Sequence, residues 1–381
     1  MSANAPSTIS GRLVLDDRVA PGRLTLEGGR IAAVALDEGA GATADGPYVA
    51  PGFVDVHVHG WGGHDAMGDG EALDGMARRL LRRGVTSFLP TAVTAPLDVL
   101  SGFADRVRAW SPDTPADGAE PLGFNLEGPF LAASRRGAHD QAHLLIPADV
   151  PRAALEPLVD GLRLITVAPE LPGATALIGW LRDRGVAVSV GHSAATVEQA
   201  RAGYAAGASS TTHLFNAMTG VDHRAPGVAL AALLDDDAFV ELIADGLHVD
   251  PAVWPLITRL KPADRLLLVS DAVALAGTGD GRGWIGGLEC EVVDGRVTLI
   301  GTTTLAGSAI ALDSAVRNLV ASGVALPAAI AAASRNPLML LGISDRGRLA
   351  VGQRADLVEL DPALRVRRVM RDGTWFAADA D

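Results

Sequence analysis

Eight short strand-like runs separated by helix-like segments predict an α/β fold for this chain, a (β/α)8 barrel of the TIM type. Two β-rich ends predict a smaller, discontinuous β domain beside it, formed from residues 1–51 and 345–381, with the barrel over residues 52–344. A third observation supports the barrel. The chemistry-bearing side chains fall at the ends of the predicted strands, the face on which such barrels carry their sites.

The strand-like runs cover about residues 53–59, 85–91, 122–127, 164–169, 186–191, 209–213, 239–245 and 266–271. Between the first two, Leu73, Met76 and Leu80 recur at helical spacing, and Gly84 after Arg82 and Arg83 stops the helix. Gly185 and Gly207 punctuate later helix-to-strand junctions. Before the barrel, Glu27-Gly28-Gly29-Arg30-Ile31 reads as a hairpin turn. After it, Gly347-Arg348-Leu349, Ala355-Asp356-Leu357-Val358 and Arg371-Asp372-Gly373-Thr374-Trp375 are β-rich. Neither end is long enough to hold a core alone, so the two are expected to pair.

With 381 residues and 48% hydrophobic content, the chain can bury a large core. The net charge of −13 argues against nucleic-acid or anionic-membrane partners, and an anionic substrate would need a local cationic pocket. No apolar stretch is long enough to span a membrane and no secretory signal is evident, so a cytoplasmic location is expected. The single cysteine, Cys290, lies in a strand-like run, excludes an intrachain disulfide and fits a reducing compartment.

The first strand ends Asp55-Val56-His57-Val58-His59. Residues two apart on a strand share a face, so both imidazoles aim into one volume, an arrangement suited to a transition metal. Later strand ends supply Glu127, His192, His213, Asp245 with His248 just beyond, and Asp271. Five of the nine histidines therefore sit at or just after strand ends. Taken jointly with the histidine pair, Glu127, His192 and His213 are candidate metal ligands. Asp271 follows an apolar run, where a carboxylate is costly unless paired or beside a cation. A helix N-cap is its alternative reading. His64 and His143 are read as solvent-facing or structural.

These residues carry a resemblance. Leu126-Glu127-Gly128-Pro129-Phe130, Arg136-Gly137-Ala138-His139, Gly191-His192-Ser193, His213-Leu214-Phe215-Asn216-Ala217-Met218, Asp245-Gly246-Leu247-His248, Ser270-Asp271-Ala272 and Thr304-Leu305-Ala306-Gly307-Ser308 are similar to segments of the amidohydrolase superfamily. Within it, the chain resembles the N-acetylglucosamine-6-phosphate deacetylase family over nearly its whole length. That resemblance implies a β-sandwich form for the small discontinuous domain, and metal-dependent hydrolysis of the acetamide of N-acetylglucosamine-6-phosphate. It implies that Glu127, His192 and His213 hold one divalent metal, with a second site at His57 and His59. Zinc and iron both suit imidazole and carboxylate, and the choice between them, and between one ion and two, stays open. Many superfamily members bridge two metals with a carbamylated lysine from strand four. The only lysine here, Lys261, lies just before strand eight, which excludes that bridge.

The resemblance also assigns roles. Asp271 serves as general base and then general acid, and His139 stabilises the carbonyl oxygen as charge builds on it. Ala138, His139, Asn216, Ala217 and Leu305 contact substrate, and Arg224 with His248 binds phosphate. Arg224 is implied to reach into the neighbouring subunit's site, hence a homodimer. The family pattern has a glutamate where this chain carries Ala225, which removes a carboxylate beside Arg224. Competing readings are a deacetylase of N-acetylgalactosamine-6-phosphate or another N-acetylated amino sugar, a cyclic-amide or N-acyl-amino-acid hydrolase, and a non-catalytic sugar-phosphate-binding homologue.

Overall fold

The computed structural model describes residues 7–37 and 46–379, so residues 1–6 and 38–45 of the predicted N-terminal β segment lie outside it, as do residues 380–381. The eight predicted runs form strands β1 (Phe53–Val58), β2 (Val85–Val93), β3 (Phe124–Glu127), β4 (Leu162–Val167), β5 (Ala187–Val190), β6 (Ser210–Thr211), β7 (Phe239–Leu242) and β8 (Leu266–Leu268). They pair in chain order as parallel neighbours from β1 to β8. Several are shorter than predicted. β6, β7 and β8 stop before His213, Asp245 and Asp271, which therefore stand on the turns that leave the strands.

The barrel closes just past the strand ends. The Asp271 N–H donates to the His57 carbonyl at 2.8 Å and the His59 N–H to the Ala272 carbonyl at 2.8 Å. Below this seam, the Ser270 N–H reaches the Asp55 carboxylate at 3.4 Å. Closure thus ties the strand-one histidine pair directly to Asp271.

The first helix, Gly70–Arg82, shows how sequence sets an element. Asp69 caps it by accepting from the Ala72 N–H at 3.0 Å, and Leu73, Met76, Ala77, Leu80 and Leu81 are buried on one face. Each large side chain there contributes about 1.5–3 kcal/mol by leaving water, and Leu73→Ala would cost about 2–5 kcal/mol. Gly84 follows at φ +90°, a conformation that favours glycine. The helix Val197–Ala206 carries a full capping box between Thr196 and Gln199 and ends at Gly207.

The chain ends pair as expected. Strands Ser7–Val14, Val19–Glu27, Arg30–Leu36 and Tyr48–Pro51 join Leu357–Leu360, Val366–Arg371 and Thr374–Ala377 in one seven-stranded sheet. Side chains from both halves, including Leu13, Leu24, Ile31, Leu357 and Met370, share one apolar core, so the sandwich is a single sheet folded about it. Gly347-Arg348-Leu349 is not a strand; it is a bend whose Leu349 plugs that core. A partly buried ion cluster links the two bodies. Glu120, paired beside β2, accepts from Arg346 at 2.8 Å and lies 2.5 Å from Arg354.

One element was not anticipated as such. After β8, Gly281–Ile285, Leu288–Val293 and Arg296–Leu299 form a three-stranded antiparallel sheet with turns at Gly286-Gly287 and Asp294-Gly295. Cys290 is buried in its central strand, as its run suggested. Ile285 carries this sheet to the barrel mouth.

Candidate metal centre and active site

Glu127, buried at the end of β3, is the hub. Its Oε1 lies 2.9 Å from Nε2 of His192 and 2.9 Å from Nε2 of His213, and those two nitrogens are 3.0 Å apart. Its Oε2 lies 3.2 Å from Nε2 of His59 and 3.2 Å from Nε2 of His139. Nε2 of His57 stands 3.6 Å from Oε1 of Glu127 and 3.5 Å from Oδ1 of Asp271, with no hydrogen-bond partner. Oδ1 of Asp271 is 3.1 Å from Nε2 of His59. Chain turns aim these groups inward. His192, His213 and Asp271 adopt φ of 46°, 28° and 50°, left-handed conformations that cost non-glycine residues about 1–3 kcal/mol and recur at functional sites. No helix follows Asp271, which removes its reading as an N-cap.

In three rings the far nitrogen fixes what the near one offers, whereas Nδ1 of His213 has no hydrogen-bond partner. Nδ1 of His57 donates to Glu241 at 3.0 Å, Nδ1 of His59 to the Thr91 carbonyl at 3.1 Å, and Nδ1 of His192 to the Arg135 carbonyl at 2.8 Å. All three rings therefore hold their proton on Nδ1 and turn an Nε2 lone pair toward Glu127. These converging lone pairs and carboxylate oxygens fit a cation. His139 is reversed. Its Nδ1 accepts the Thr94 N–H at 3.2 Å, so its Nε2 carries the proton and faces the cavity as a donor rather than a ligand.

Charge supports the same reading. Burial alone would depress His57 and His59, but neighbouring carboxylates outweigh it, raising His57 well above the ordinary range and His59 to about 9. Burial would raise Glu127 and Asp271, yet the surrounding histidines hold both below their usual values. That field draws a second proton onto Nε2 of His57 and His59, and a cation bound between the rings would take the place of those protons. Burial lowers His192 to about 4, leaving its imidazole neutral near pH 7.

A cavity of about 320 Å³ opens above this cluster and is lined by Ala138, His139, Asn216, Ala217, His248 and Leu305 among others. Nδ1 of His248 donates to Asp245 at 2.7 Å, which leaves Nε2 free. Gly307, at φ +64°, lets the loop from Thr304 lie against Asp271, whose carbonyl accepts the Ser308 N–H at 2.7 Å. Arg224 is not brought to the cavity. It is exposed on the turn after Met218, where its N–H bonds Asp222 at 2.8 Å. His64 packs beside Gly75, and His143 lies away from the cluster.

Three participants were missed from sequence. Glu241 and Asp55 are fully buried carboxylates inside apolar strands, a costly placement that is itself the signal. Asp55 is pushed up to about 6 by burial, against bonds from Ser270 and the His57 N–H. Thr94, just past β2, sets the His139 proton and carries no signal in the sequence.

The amidohydrolase family pattern matches residues 48–376. The chain belongs to the amidohydrolase family. As an amidohydrolase it is similar to an N-acetylgalactosamine-6-phosphate deacetylase of Escherichia coli O157:H7, 38% identical over 94% of each chain. It is also similar to an N-acetylglucosamine-6-phosphate deacetylase of Bos taurus, 39% identical over 98% of this chain and 92% of that one. Among solved structures it is similar to a mutant N-acetyl-D-glucosamine-6-phosphate deacetylase of Mycobacterium smegmatis in complex with N-acetyl-D-glucosamine-6-phosphate. The TM-score is 0.87 and the identity 36%, over 98% of this chain and 99% of that one. No helix among the described residues of this amidohydrolase is long and apolar enough to cross a membrane.

Proposed function

We propose that this amidohydrolase hydrolyses the acetamide of N-acetylglucosamine-6-phosphate, giving glucosamine-6-phosphate and acetate. The observation that carries the reading is Glu127 ringed by four imidazole nitrogens within 3.2 Å, with Asp271 beside them at the cavity floor. Glu127, His192 and His213 would hold a divalent cation, zinc or iron, and His57 and His59 with Asp271 offer donors for a second. Bound there, such an ion supplies Lewis acidity toward a carbonyl and acidifies water.

The protein's own groups carry the proton work. Asp271, ionised because His57 and His59 offset its burial, takes a proton from the attacking water. As water oxygen bonds to the acetyl carbon, the His139 Nε2–H donates to the carbonyl oxygen that gains charge. When the C–N bond breaks, Asp271 returns its proton to the sugar nitrogen, which leaves as a neutral amine. Asn216, Ala217, Ala138 and Leu305 would hold sugar and phosphate oxygens, and His248 presents Nε2 for the phosphate.

Arg224 would complete that phosphate site from a second subunit. Its exposed side chain makes no ion pair among the described residues, which supports a homodimer in which each chain lends the other this guanidinium. The single buried thiol, Cys290, supports a reducing, cytoplasmic setting.

The E. coli relative favours a second reading, N-acetylgalactosamine-6-phosphate as substrate. Acetate release from both 6-phosphates and from unphosphorylated N-acetylglucosamine, before and after chelation and zinc restoration, separates them. Metal-dependent release, fastest from the glucosamine compound, is expected. Faster release from the galactosamine compound replaces the substrate, and no release from any of them removes the reading.

A further inference from the structure

Glu241 sits in the middle of β7, between Val240 and Leu242, and is wholly buried. A carboxylate in that position is expensive unless it is bonded. Its Oε2 accepts from two donors on different parts of the barrel: Nδ1 of His57 at 3.0 Å and the backbone N–H of His213 at 3.1 Å. Its Oε1 has no hydrogen-bond partner. One oxygen therefore touches both the strand-one histidine pair and the histidine that follows β6.

We infer that Glu241 is a positioning residue that couples these two sets of metal donors, an inference that rests on the cluster being a cation site. It performs two tasks. By accepting from Nδ1 it keeps the His57 proton there, so that Nε2 presents a lone pair toward Glu127 and Asp271. By accepting the His213 N–H it holds that residue at φ 28°, from which Nε2 reaches Glu127 at 2.9 Å. Without the carboxylate, His57 is free to flip or to take its other tautomer, and the His213 turn loses its anchor. The same oxygen serves both, so the two donor sets lose order together. Carboxylates that orient ligating histidines in this way are typically worth 10–100-fold in metal affinity.

The unpartnered Oε1 makes the conservative test informative. In Glu241→Gln the amide oxygen can take the Oε2 position and accept both bonds, with the negative charge removed. Glu241→Ala removes both bonds. Zinc alone is titrated into metal-free wild type and both variants against a competing chelator. The proton position on His57 is read in parallel from the ring-nitrogen NMR of histidine-labelled protein.

Glu241→Ala is expected to bind zinc about 10–100-fold more weakly, with His57 losing its fixed Nδ1–H signal. Glu241→Gln should keep that signal and lose clearly less affinity than the alanine variant. Zinc affinity of Glu241→Ala within about twofold of wild type, or equal loss in both variants, overturns the inference, against an expected 10–100-fold effect of the alanine change. So does a wild-type His57 lacking its proton on Nδ1, whichever variants fold. Wild type that binds no zinc at all would instead remove the cation reading on which the inference stands.

Discussion

Oδ1 of Asp271 lies 3.1 Å from Nε2 of His59, and the backbone of Asp271 donates to the carbonyl of His57 across the barrel seam. The base is thus built into the closure that also sets the histidine pair. Asp271→Asn keeps the shape, the seam bond and the φ of 50°, which asparagine tolerates. It should fold, retain metal at Glu127, His192 and His213, and lose turnover by about 10²–10⁴-fold. Metal content measured beside acetate release checks both halves; near-normal turnover would reject the role.

His139 presents a donor because the Thr94 N–H occupies its other nitrogen. His139→Ala should lower kcat by about 10²–10³-fold while zinc content stays at the wild-type level. Loss of zinc in this variant would make His139 a ligand, contrary to its tautomer.

Ala217 lines the cavity at φ 50°, a left-handed conformation that an alanine occupies only at a cost. Ala217→Gly should therefore stabilise the fold by about 1 kcal/mol, seen as a higher denaturation midpoint. A loss of stability would show that the methyl contributes more by packing than the backbone loses by strain.

The joint between barrel and β domain gives a pH prediction. Burial would raise the Glu120 carboxyl, but Arg354 and Arg346 outweigh it and hold it below its ordinary 4.5. Its folded pKa is depressed, so its contribution to stability is present above about 4.5 and lost as pH falls through the folded value. Urea unfolding across the acid range should show a shallower acid decline for Glu120→Gln than for wild type. An unchanged acid limb would remove Glu120 as a contributor.

Much of the site was readable because strand chemistry is periodic and strand ends in such barrels share one rim. The spacing of His57 and His59 announced a shared face, Glu127, His192 and Asp271 each closed a largely apolar run, and His213 closed the Ser- and Thr-rich run that precedes it. His139 was different. It stands on a long irregular segment after β3, so spacing said nothing of its place, and only the similarity of its surrounding motif pointed to it. Glu241 and Asp55 went unread because attention to strand ends passes over strand interiors, although a lone carboxylate in Phe239-Val240-Glu241-Leu242 is a costly burial in need of a reason. The sheet over residues 281–299 is rich in glycine and short in apolar period, so only its Cys290 strand stood out.

Anomalous diffraction from crystals of the zinc-loaded protein tests the central claim most directly. The account predicts a zinc peak in contact with Oε1 of Glu127 and with Nε2 of His192 and His213, each at about 2.0–2.2 Å, with His139 Nε2 outside bonding range. Zinc held elsewhere, or held without Glu127, would contradict it.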